Sequence, residues 1–317
     1  MTIRLIITLY VLFLVSCGSN FNNNSKGKIQ SPSIVILGNV QDGGSPHMGC
    51  DKLCCKKLFE NPDKDRMVVS LGLVDPYENK SWMIEATPDF PRQAKLLKNY
   101  CSINQKETPD GIFITHAHIG HYIGLMYLGK EAMNSNKVPV YAMTRMKGFL
   151  MMNGPWSQLM KMSNIRFNNI NNERTIRLSK QFKITPFLVP HRDEFSETVG
   201  YKIKGPLKSA LFIPDIDKWG KWNKDIVEEI KKVDYAFIDG TFYNEKEINN
   251  RDISQIPHPF VIESMEMFKD FSKTEKAKVY FIHLNHTNPL LDKNSPESIK
   301  VKNAGFNIAR PNQIFTL

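Results

Sequence analysis

Residues 115–125 read THAHIGHYIGL, and this stretch places three histidines within six positions. It follows a short apolar run that is typical of a buried strand, and it precedes a helical pattern that begins near Tyr122. At the carboxyl end of a strand in a layered α/β protein, side chains project into a crevice. His116 and His118 share one side of an extended chain, and a turn can bring His121 beside them. The stretch therefore predicts a metal site, although imidazole suits zinc, iron and manganese alike.

Short apolar, β-branched runs alternate with helical patterns along the rest of the chain. The predicted strands are 34–37, 67–73, 82–85, 112–115, 138–142, 182–186, 199–203, 211–213, 235–238 and 279–282, and the predicted helices are 91–99, 122–132, 222–232 and 260–271. Strand pairs come first and strand–helix alternation follows, without internal repeats. This order predicts one layered α/β domain over residues 33–317.

The first twenty residues predict an export signal. Arg4 precedes an apolar run that is too short to span a bilayer as a mature helix. The run ends in LVSC (14–17), which resembles the lipobox of bacterial lipoproteins. The resemblance implies that residues 1–16 are removed, that Cys17 carries lipid and that residues 17–32 form a flexible polar tether. We expect an exported, membrane-anchored bacterial lipoprotein that faces the periplasm or the cell surface, with an ordinary signal peptide as the alternative.

The net charge of the chain is +10, from 42 basic and 32 acidic residues. Such a balance can indicate a nucleic-acid or anionic membrane partner, but only where the basic residues cluster. Here they are scattered, and no specific nucleic-acid partner is inferred from them. We expect a small-molecule substrate.

The motif His116-Ala-His118-Ile-Gly120-His121 resembles the His-x-His-x-Asp-His signature of the metallo-β-lactamase fold superfamily. The resemblance implies a four-layered αββα sandwich with a one- or two-metal site at one sheet edge. Three later segments resemble family landmarks in the same order: 190–201 (PHRDEFSETVGY), 211–215 (LFIPD) and 281–283 (FIH). The implied ligands of the first metal are His116, His118 and His191; those of the second are His121 and His283, with Asp215 between the two ions.

Gly120 departs from this signature, because an aspartate at that position usually ligates the second metal in the superfamily. Its loss predicts a weaker second metal or a single-metal site. Asp193, Glu194 and Asp217 are candidates to compensate from a nearby loop, to support the ligands or to contact substrate; a solvated role stays open for each. Asp239 ends a strand and is a further candidate for supporting the site or contacting substrate, although an Asp-Gly turn explains it almost as well.

Four stretches resemble the coenzyme PQQ synthesis protein B group and the related phosphoribosyl cyclic phosphodiesterases. They are 41–46, 213–219, 238–242 and 281–289. The latter branch has a three-cysteine loop that binds a structural zinc together with a histidine, and this likeness implies a zinc site formed by Cys50, Cys54, Cys55 and His286. The spacing Cys-x₃-Cys-Cys departs from that branch. Disulfides are the alternative, because an exported protein meets oxidant and Cys101 makes the cysteines an even set.

These observations predict a metal-dependent hydrolase in which a metal-bound hydroxide attacks a phosphodiester or a related bond of a small molecule. Asp215 and His283 are the candidate catalytic residues. Zinc is the expected active-site metal, and iron and manganese remain open. The alternatives are an iron-dependent oxidative enzyme related to quinone cofactor synthesis and a non-catalytic, tethered ligand-binding protein. His47 and His258, each beside a proline, are interpreted as surface residues.

Overall fold

The computed structural model describes residues 27–101, 106–247 and 256–317. The predicted lipoprotein signal, including Cys17, lies outside the described residues. Within those ranges, no helix is both long and apolar enough to cross a membrane. Near the start of the first range Ile29 is buried, and its N–H donates to the Tyr100 carbonyl at 3.1 Å.

The first of two seven-stranded sheets contains most strands of the amino-terminal half. Its strands are β1 (Ser33–Gly38), β2 (Ser70–Asp75), β3 (Lys80–Ile84), β4 (Gly111–Phe113), β5 (Val138–Ala142), β6 (Ile165–Asn169) and β14 (Ile314–Thr316). They are ordered β14-β1-β2-β3-β4-β5-β6. Pairing is antiparallel from β14 to β3 and parallel from β3 to β6.

The second sheet repeats this division. Its strands are β7 (Ile176–Arg177), β8 (Lys183–Leu188), β9 (Val199–Lys204), β10 (Ser209–Ile213), β11 (Tyr235–Asp239), β12 (Val279–Ile282) and β13 (Asn307–Ile308), in the order β13-β12-β11-β10-β9-β8-β7. Pairing is antiparallel from β7 to β10 and parallel from β10 to β13. The carboxyl ends of β10, β11 and β12 therefore meet at one edge.

Helices cover the outer face of each sheet. The helices of the described residues are α1 (Leu53–Glu60), α2 (Phe90–Tyr100), α3 (Ile119–Tyr122), α4 (Thr144–Met152), α5 (Trp156–Lys161), α6 (Ile226–Lys231), α7 (Val261–Met267), α8 (Lys273–Lys276) and α9 (Pro296–Asn303), with 3₁₀ turns at Ile123–Leu128, Trp219–Lys221, Glu245–Glu247 and Pro289–Leu291. The outer faces pack mainly against α2, α4 and α5 on the first sheet and α6, α7 and α9 on the second.

Three apolar cores separate the four layers. In β1, Ile34 and Ile36 face the core between the sheets, while Val35 and Leu37 face the core under the amino-terminal helices. This alternation follows from the two-residue period of a strand, and burial on both faces explains why β1 is apolar throughout. A third core joins the second sheet to α6, α7 and α9. The architecture confirms the predicted four-layered αββα sandwich.

All ten predicted strands are present, with ends shifted by a few residues. Strands β6, β7, β13 and β14 were not predicted from the sequence. The last three have only two or three residues, which carry little periodicity. The predicted helix 122–132 is wrong in form: α3 ends at Tyr122 and a 3₁₀ turn follows. The reason lies at Gly124, whose N–H donates to the Ala86 carbonyl at 2.8 Å instead of to the preceding helical turn.

Candidate metal centre

The carboxylate of Asp215 lies at the centre of six imidazole rings. Asp215 is buried and follows β10, and the rings come from four other segments of the chain. The shortest distances from its oxygens to a ring nitrogen are 3.4 Å for His116, 4.0 Å for His118, 3.7 Å for His121, 3.2 Å for His191, 3.2 Å for His258 and 3.9 Å for His283. The structure thus brings together all five histidines that the sequence assigned to the two metals.

The structure brings together the residues of the first predicted ligand set. His116, His118, His191 and Asp215 each offer one ligand atom, and these atoms all lie within 4.8 Å of one another. The set combines imidazole nitrogens with one carboxylate oxygen, a donor combination found at catalytic zinc sites.

The buried histidines have nitrogen atoms that protein groups leave without a hydrogen bond. Among the described residues, the unsatisfied buried atoms include Nε2 of His116, His121, His191 and His283, together with Oδ1 of Asp215. Unsatisfied buried polar atoms are costly, and their grouping around one carboxylate calls for a ligand. The residues present therefore fit a divalent metal ion, which would take up these lone pairs.

A carboxylate–threonine–histidine chain orients His116. The Thr115 hydroxyl donates to Glu85 Oε1 at 2.5 Å and lies 2.8 Å from His116 Nδ1. Because the single hydroxyl proton is committed to Glu85, His116 Nδ1–H donates to Thr115 and leaves Nε2 as the acceptor. Glu85 Oε1 also lies 3.3 Å from His121 Nδ1. We call the chain Glu85–Thr115–His116 the Glu85 relay.

A second chain of the same chemistry orients His283. The Thr241 hydroxyl donates to Asp239 Oδ1 at 2.7 Å and lies 2.8 Å from His283 Nδ1. We call Asp239–Thr241–His283 the Asp239 relay. Both His283 (φ 64°) and Glu85 (φ 80°) have left-handed backbone conformations. Such strain persists only where the surroundings hold the residue, and it gathers at functional sites.

The remaining predicted acids support the site in different ways. Asp217 Oδ1 lies 3.3 Å from His191 Nδ1, and Glu194 Oε2 lies 3.3 Å from His118 Nε2. His118 therefore turns its Nδ1 toward Asp215, unlike the other predicted ligands. Asp193 Oδ1 accepts a hydrogen bond from the Thr198 hydroxyl at 2.8 Å and braces the loop that carries Glu194.

The position beside His121 and His283 contains an acid that the sequence analysis did not identify. Ligand atoms of Asp42, His121 and His283 lie within 4.8 Å of one another. Asp193, Glu194 and Asp217, which were considered as replacements for the aspartate missing at position 120, do not belong to this group. Asp42 lies about 80 residues earlier in the chain, so that no local spacing indicated it.

The interpretation of His258 as a surface residue is wrong. His258 is 9% exposed, and its Nδ1 lies 2.9 Å from Asp239 Oδ2 and 3.2 Å from Asp215 Oδ1. Its neighbouring prolines suggested a loop, and that loop folds over the centre. Asp239 thus contacts both His258 and, through Thr241, His283.

Burial and neighbouring charges shift the acid–base properties of the centre. Burial lowers the pKa of His116 and His283 well below the ordinary histidine value, and it lowers the pKa of His191 as well. These rings are neutral at neutral pH, which is the metal-binding form. Burial also opposes protonation of His121, but Glu85 and Asp42 outweigh it and raise the pKa of His121 to about 9. Burial opposes the charge of Asp215, yet His191 and His258 hold its pKa well below the usual carboxyl range.

The family model of the beta-lactamase superfamily domain matches residues 81–284 of this chain. The chain belongs to this superfamily. The matched segment contains the His116–His121 motif, His191, Asp215 and His283, and it begins after the loop that carries Asp42.

Several curated relatives of this superfamily member carry the name coenzyme PQQ synthesis protein B. That of Xanthomonas campestris pv. campestris (strain B100) is 22% identical over 299 residues, which cover 87% of this chain and 97% of the relative. That of Gluconobacter oxydans (strain 621H) is 31% identical over 126 residues, or 38% of this chain and 40% of the relative.

Solved structures agree on the fold. Zinc-bound PqqB from Methylobacterium extorquens superposes with a TM-score of 0.75 at 20% identity, covering 90% of this chain and all of that one. A diphosphatase from the PhnP family has a TM-score of 0.60 at 21% identity, covering 90% of this chain and 96% of that one. At these identities the likeness shows the metallo-β-lactamase fold alone.

The chain also contains a cluster of three cysteines and one histidine. Ligand atoms of Cys50, Cys55 and His286 lie within 4.8 Å of one another, and Cys54 Sγ lies 3.7 Å from Cys50 Sγ. The three cysteines carry free thiols. The structure therefore brings together all four residues of the predicted structural zinc site, with Cys54 at the margin of the tight group.

Two residues named in the sequence analysis bear on this cluster. His47 was interpreted as a surface residue, but its ring stacks on His286 with the centroids 4.4 Å apart. The backbone N–H of His47 donates to Cys55 Sγ. Cys101 lies elsewhere, in the core beneath the amino-terminal helices, where its Sγ donates to the Leu97 carbonyl. The fold therefore does not place Cys101 beside Cys50, Cys54 or Cys55, as the disulfide alternative would require.

Proposed function

We propose that the chain is a metal-dependent hydrolase that cleaves a phosphodiester or a related bond of a small molecule. The observation that carries this proposal is the buried carboxylate of Asp215, which faces ring nitrogens of six histidines within 4.0 Å. Four of those rings have unsatisfied Nε2 atoms aimed at the same space. A set of nitrogen and carboxylate donors around an accessible position is typical of hydrolytic metal sites.

Two ion positions fit the donors. His116, His118 and His191 would hold one ion, His121 and His283 would hold the other, and Asp215 would serve both. Divalent ions bound here would lower the pKa of a water ligand to about 7 and would polarise the bond under attack. Zinc suits the donors, and iron or manganese would be accepted by the same imidazoles.

The residues of the chain have separate roles in the reaction. Asp215 holds the attacking water by hydrogen bonding and fixes its direction. A bond forms between the water oxygen and phosphorus while the bond to the leaving oxygen breaks. His258, held between Asp215 and Asp239, is positioned to deliver a proton to that leaving oxygen. The proton lost by the water returns to solvent.

The experiment is metal analysis and turnover of the purified mature protein. Wild type should contain active-site metal and hydrolyse bis(p-nitrophenyl) phosphate. His116→Ala should lose metal and turnover while its circular dichroism spectrum stays unchanged, and Asp270→Ala, at an exposed position, serves as the matched control. Wild type that binds no metal at micromolar concentrations would contradict the proposal and favour a non-catalytic ligand-binding protein.

A second candidate function is oxidative and related to quinone cofactor synthesis. The similarity to coenzyme PQQ synthesis protein B, which spans 97% of the Xanthomonas relative, favours it. Such a reaction would use iron in place of zinc, since iron activates oxygen and zinc has no redox chemistry. Metal analysis of protein purified without added zinc separates the two candidates, because bound iron would favour this one.

We propose in addition that Cys50, Cys54, Cys55 and His286 bind a structural zinc. A closed site of this kind contributes directly to folding stability. Cys55→Ser should lower the zinc content by about one equivalent and destabilise the protein by about 4 kcal/mol at a free zinc concentration 1,000 times the dissociation constant. Active-site metal should remain. Unchanged zinc content in this variant would contradict the site.

We also propose that the mature chain is a membrane-anchored bacterial lipoprotein with lipid on Cys17. Its tether would keep the hydrolase at the periplasmic face or on the cell surface. Cells fed a labelled fatty acid should label the wild type and not Cys17→Ser. Equal labelling of both forms, or none in either, would contradict the anchor.

A further inference from the structure

We propose that Asp42 is a ligand of the second metal ion and that residue 120 is glycine because Asp42 occupies the space of its side chain. The inference rests on the proposed metal centre, and it adds a residue from a different part of the chain. It replaces the expectation of an incomplete second position with that of a position completed from the loop after β1.

The geometry around Asp42 is that of a ligand set. Its carboxylate lies with His121 and His283 in a group whose ligand atoms are within 4.8 Å of one another. Both histidines are fully buried, and Nε2 of each has no hydrogen-bond partner among the described residues. Imidazoles carry no negative charge when they bind a metal, so His121, His283 and a shared Asp215 would leave this ion short of negative charge, which Asp42 would supply.

The loop that presents Asp42 is tied to the strand that presents His283. The Gln41 N–H donates to the Leu284 carbonyl at 2.9 Å, and the Leu284 N–H donates to the Asn39 carbonyl at 2.8 Å. A turn follows, in which the Gly44 N–H donates to the Gln41 carbonyl and Gly44 has φ 79°. Asp42 and His283 are therefore neighbours across a short ladder, which holds the carboxylate at the centre.

The steric relation to Gly120 is specific. A Cβ placed on Gly120 would lie 2.1 Å from Asp42 Cβ and 2.7 Å from Asp42 Cα. Gly120 does not have a left-handed φ, so its backbone conformation does not require glycine. A side chain at 120 and the observed position of Asp42 exclude one another. Gly120 suggested a lost ligand, but the absence of a side chain there leaves room for the Asp42 carboxylate beside His121 and His283.

The other acids of the centre are engaged elsewhere. Asp217 and Glu194 face His191 and His118, and both oxygens of Asp239 accept hydrogen bonds, from the Thr241 and Ile216 N–H groups. By contrast, no described residue donates a hydrogen bond to the Asp42 carboxylate. A carboxylate that is held in place without a protein donor is available to a cation.

The experiment counts bound zinc at controlled free zinc concentrations by mass spectrometry, with the cysteine cluster removed from the count by using Cys55→Ser as the background. Wild type in that background should bind about two ions. Asp42→Ala should keep the first ion and bind the second at least about 100-fold more weakly, since loss of a supporting partner alone costs 10- to 100-fold. Asp42→Asn, which keeps the shape, should do the same, and Asp270→Asn is the matched control.

A swap of the two positions tests the steric claim. Gly120→Asp alone should weaken the second ion and lower the melting temperature, because the new side chain collides with Asp42. In Asp42→Gly/Gly120→Asp the carboxylate enters the vacated space, and both the second ion and the melting temperature should recover. Unchanged affinity for two ions in Asp42→Ala and Asp42→Asn would overturn the inference, whereas a wild type without active-site metal would overturn the proposed function itself.

Discussion

Each sheet of the sandwich presents one carboxylate–threonine–histidine relay to the centre, but the carboxylates of the two relays contact different additional histidines. In the first sheet, Glu85 orients His116 through Thr115 and also faces His121. In the second, Asp239 orients His283 through Thr241 and also contacts His258. The hydroxyl-to-imidazole distance is 2.8 Å in both.

The two relays differ in the second histidine that each carboxylate contacts. The Glu85 relay supports one predicted ligand of each ion, so it secures both positions together. The Asp239 relay supports one ligand of the second ion and one ring that belongs to no predicted ligand set. In the proposed function, the Glu85 relay would support metal binding at both positions, and the Asp239 relay would connect one metal ligand to the proposed proton donor His258.

Glu85→Gln should have the largest effect. Removing the charge loosens His116 and His121 together, so both ions should bind 10- to 100-fold more weakly. At limiting metal, turnover should fall by about 10³-fold, because metal polarisation supplies several kcal/mol and about 1.4 kcal/mol is a factor of ten. Zinc titration and turnover of bis(p-nitrophenyl) phosphate measure both effects.

Glu131→Gln, at an exposed position, is the control for this variant. If Glu85→Gln weakened only one ion, the claim that this relay secures both positions would be wrong.

Asp239→Asn should have a smaller and more selective effect. The first ion should remain, the second should bind 10- to 100-fold more weakly, and turnover at saturating metal should fall by about 10²-fold because His258 loses its partner. The loss should be larger for substrates with alkyl leaving groups than for p-nitrophenyl esters, since a poor leaving group depends more on protonation. Equal losses for both substrate classes would argue against His258 as the proton donor.

Thr115→Val and Thr241→Val should have the smallest effects and should differ in which ion they touch. Each keeps the shape of the side chain and removes the hydroxyl that orients one histidine. Thr115→Val should weaken the first ion by about tenfold, and Thr241→Val should weaken the second by about tenfold. Site-resolved cobalt spectra can assign each loss, and identical spectral changes in the two variants would count against two separate relays.

The sequence predicted the fold and the histidine motif from local signals. His116, His118 and His121 lie in one turn after a buried strand, and strands buried on both faces read as continuous apolar runs. His191, Asp215 and His283 each end or follow a strand, and the order of the family landmarks along the chain predicted that they lie close to the histidine motif.

The sequence did not connect Asp42 with the proposed second position, because Asp42 lies about 80 residues before the histidine motif. Asp42 reaches His121 only after β1 and β12 are joined through Leu284, a pairing across more than 240 residues. His258 was missed for a related reason: its prolines indicate a loop, but only packing decides whether a loop covers a site. Gly120 was the one local indication of an unusual second position, and the sequence alone did not show that Asp42 fills the space beside it.

The most direct test of the two-ion centre is anomalous diffraction from crystals of the zinc-loaded protein. The account predicts two peaks about 3.5–4 Å apart on either side of the Asp215 carboxylate. One should lie beside His116, His118 and His191, and the other beside His121, His283 and Asp42. A map with no peak at Asp215, or with zinc only at the cysteine cluster, would contradict it.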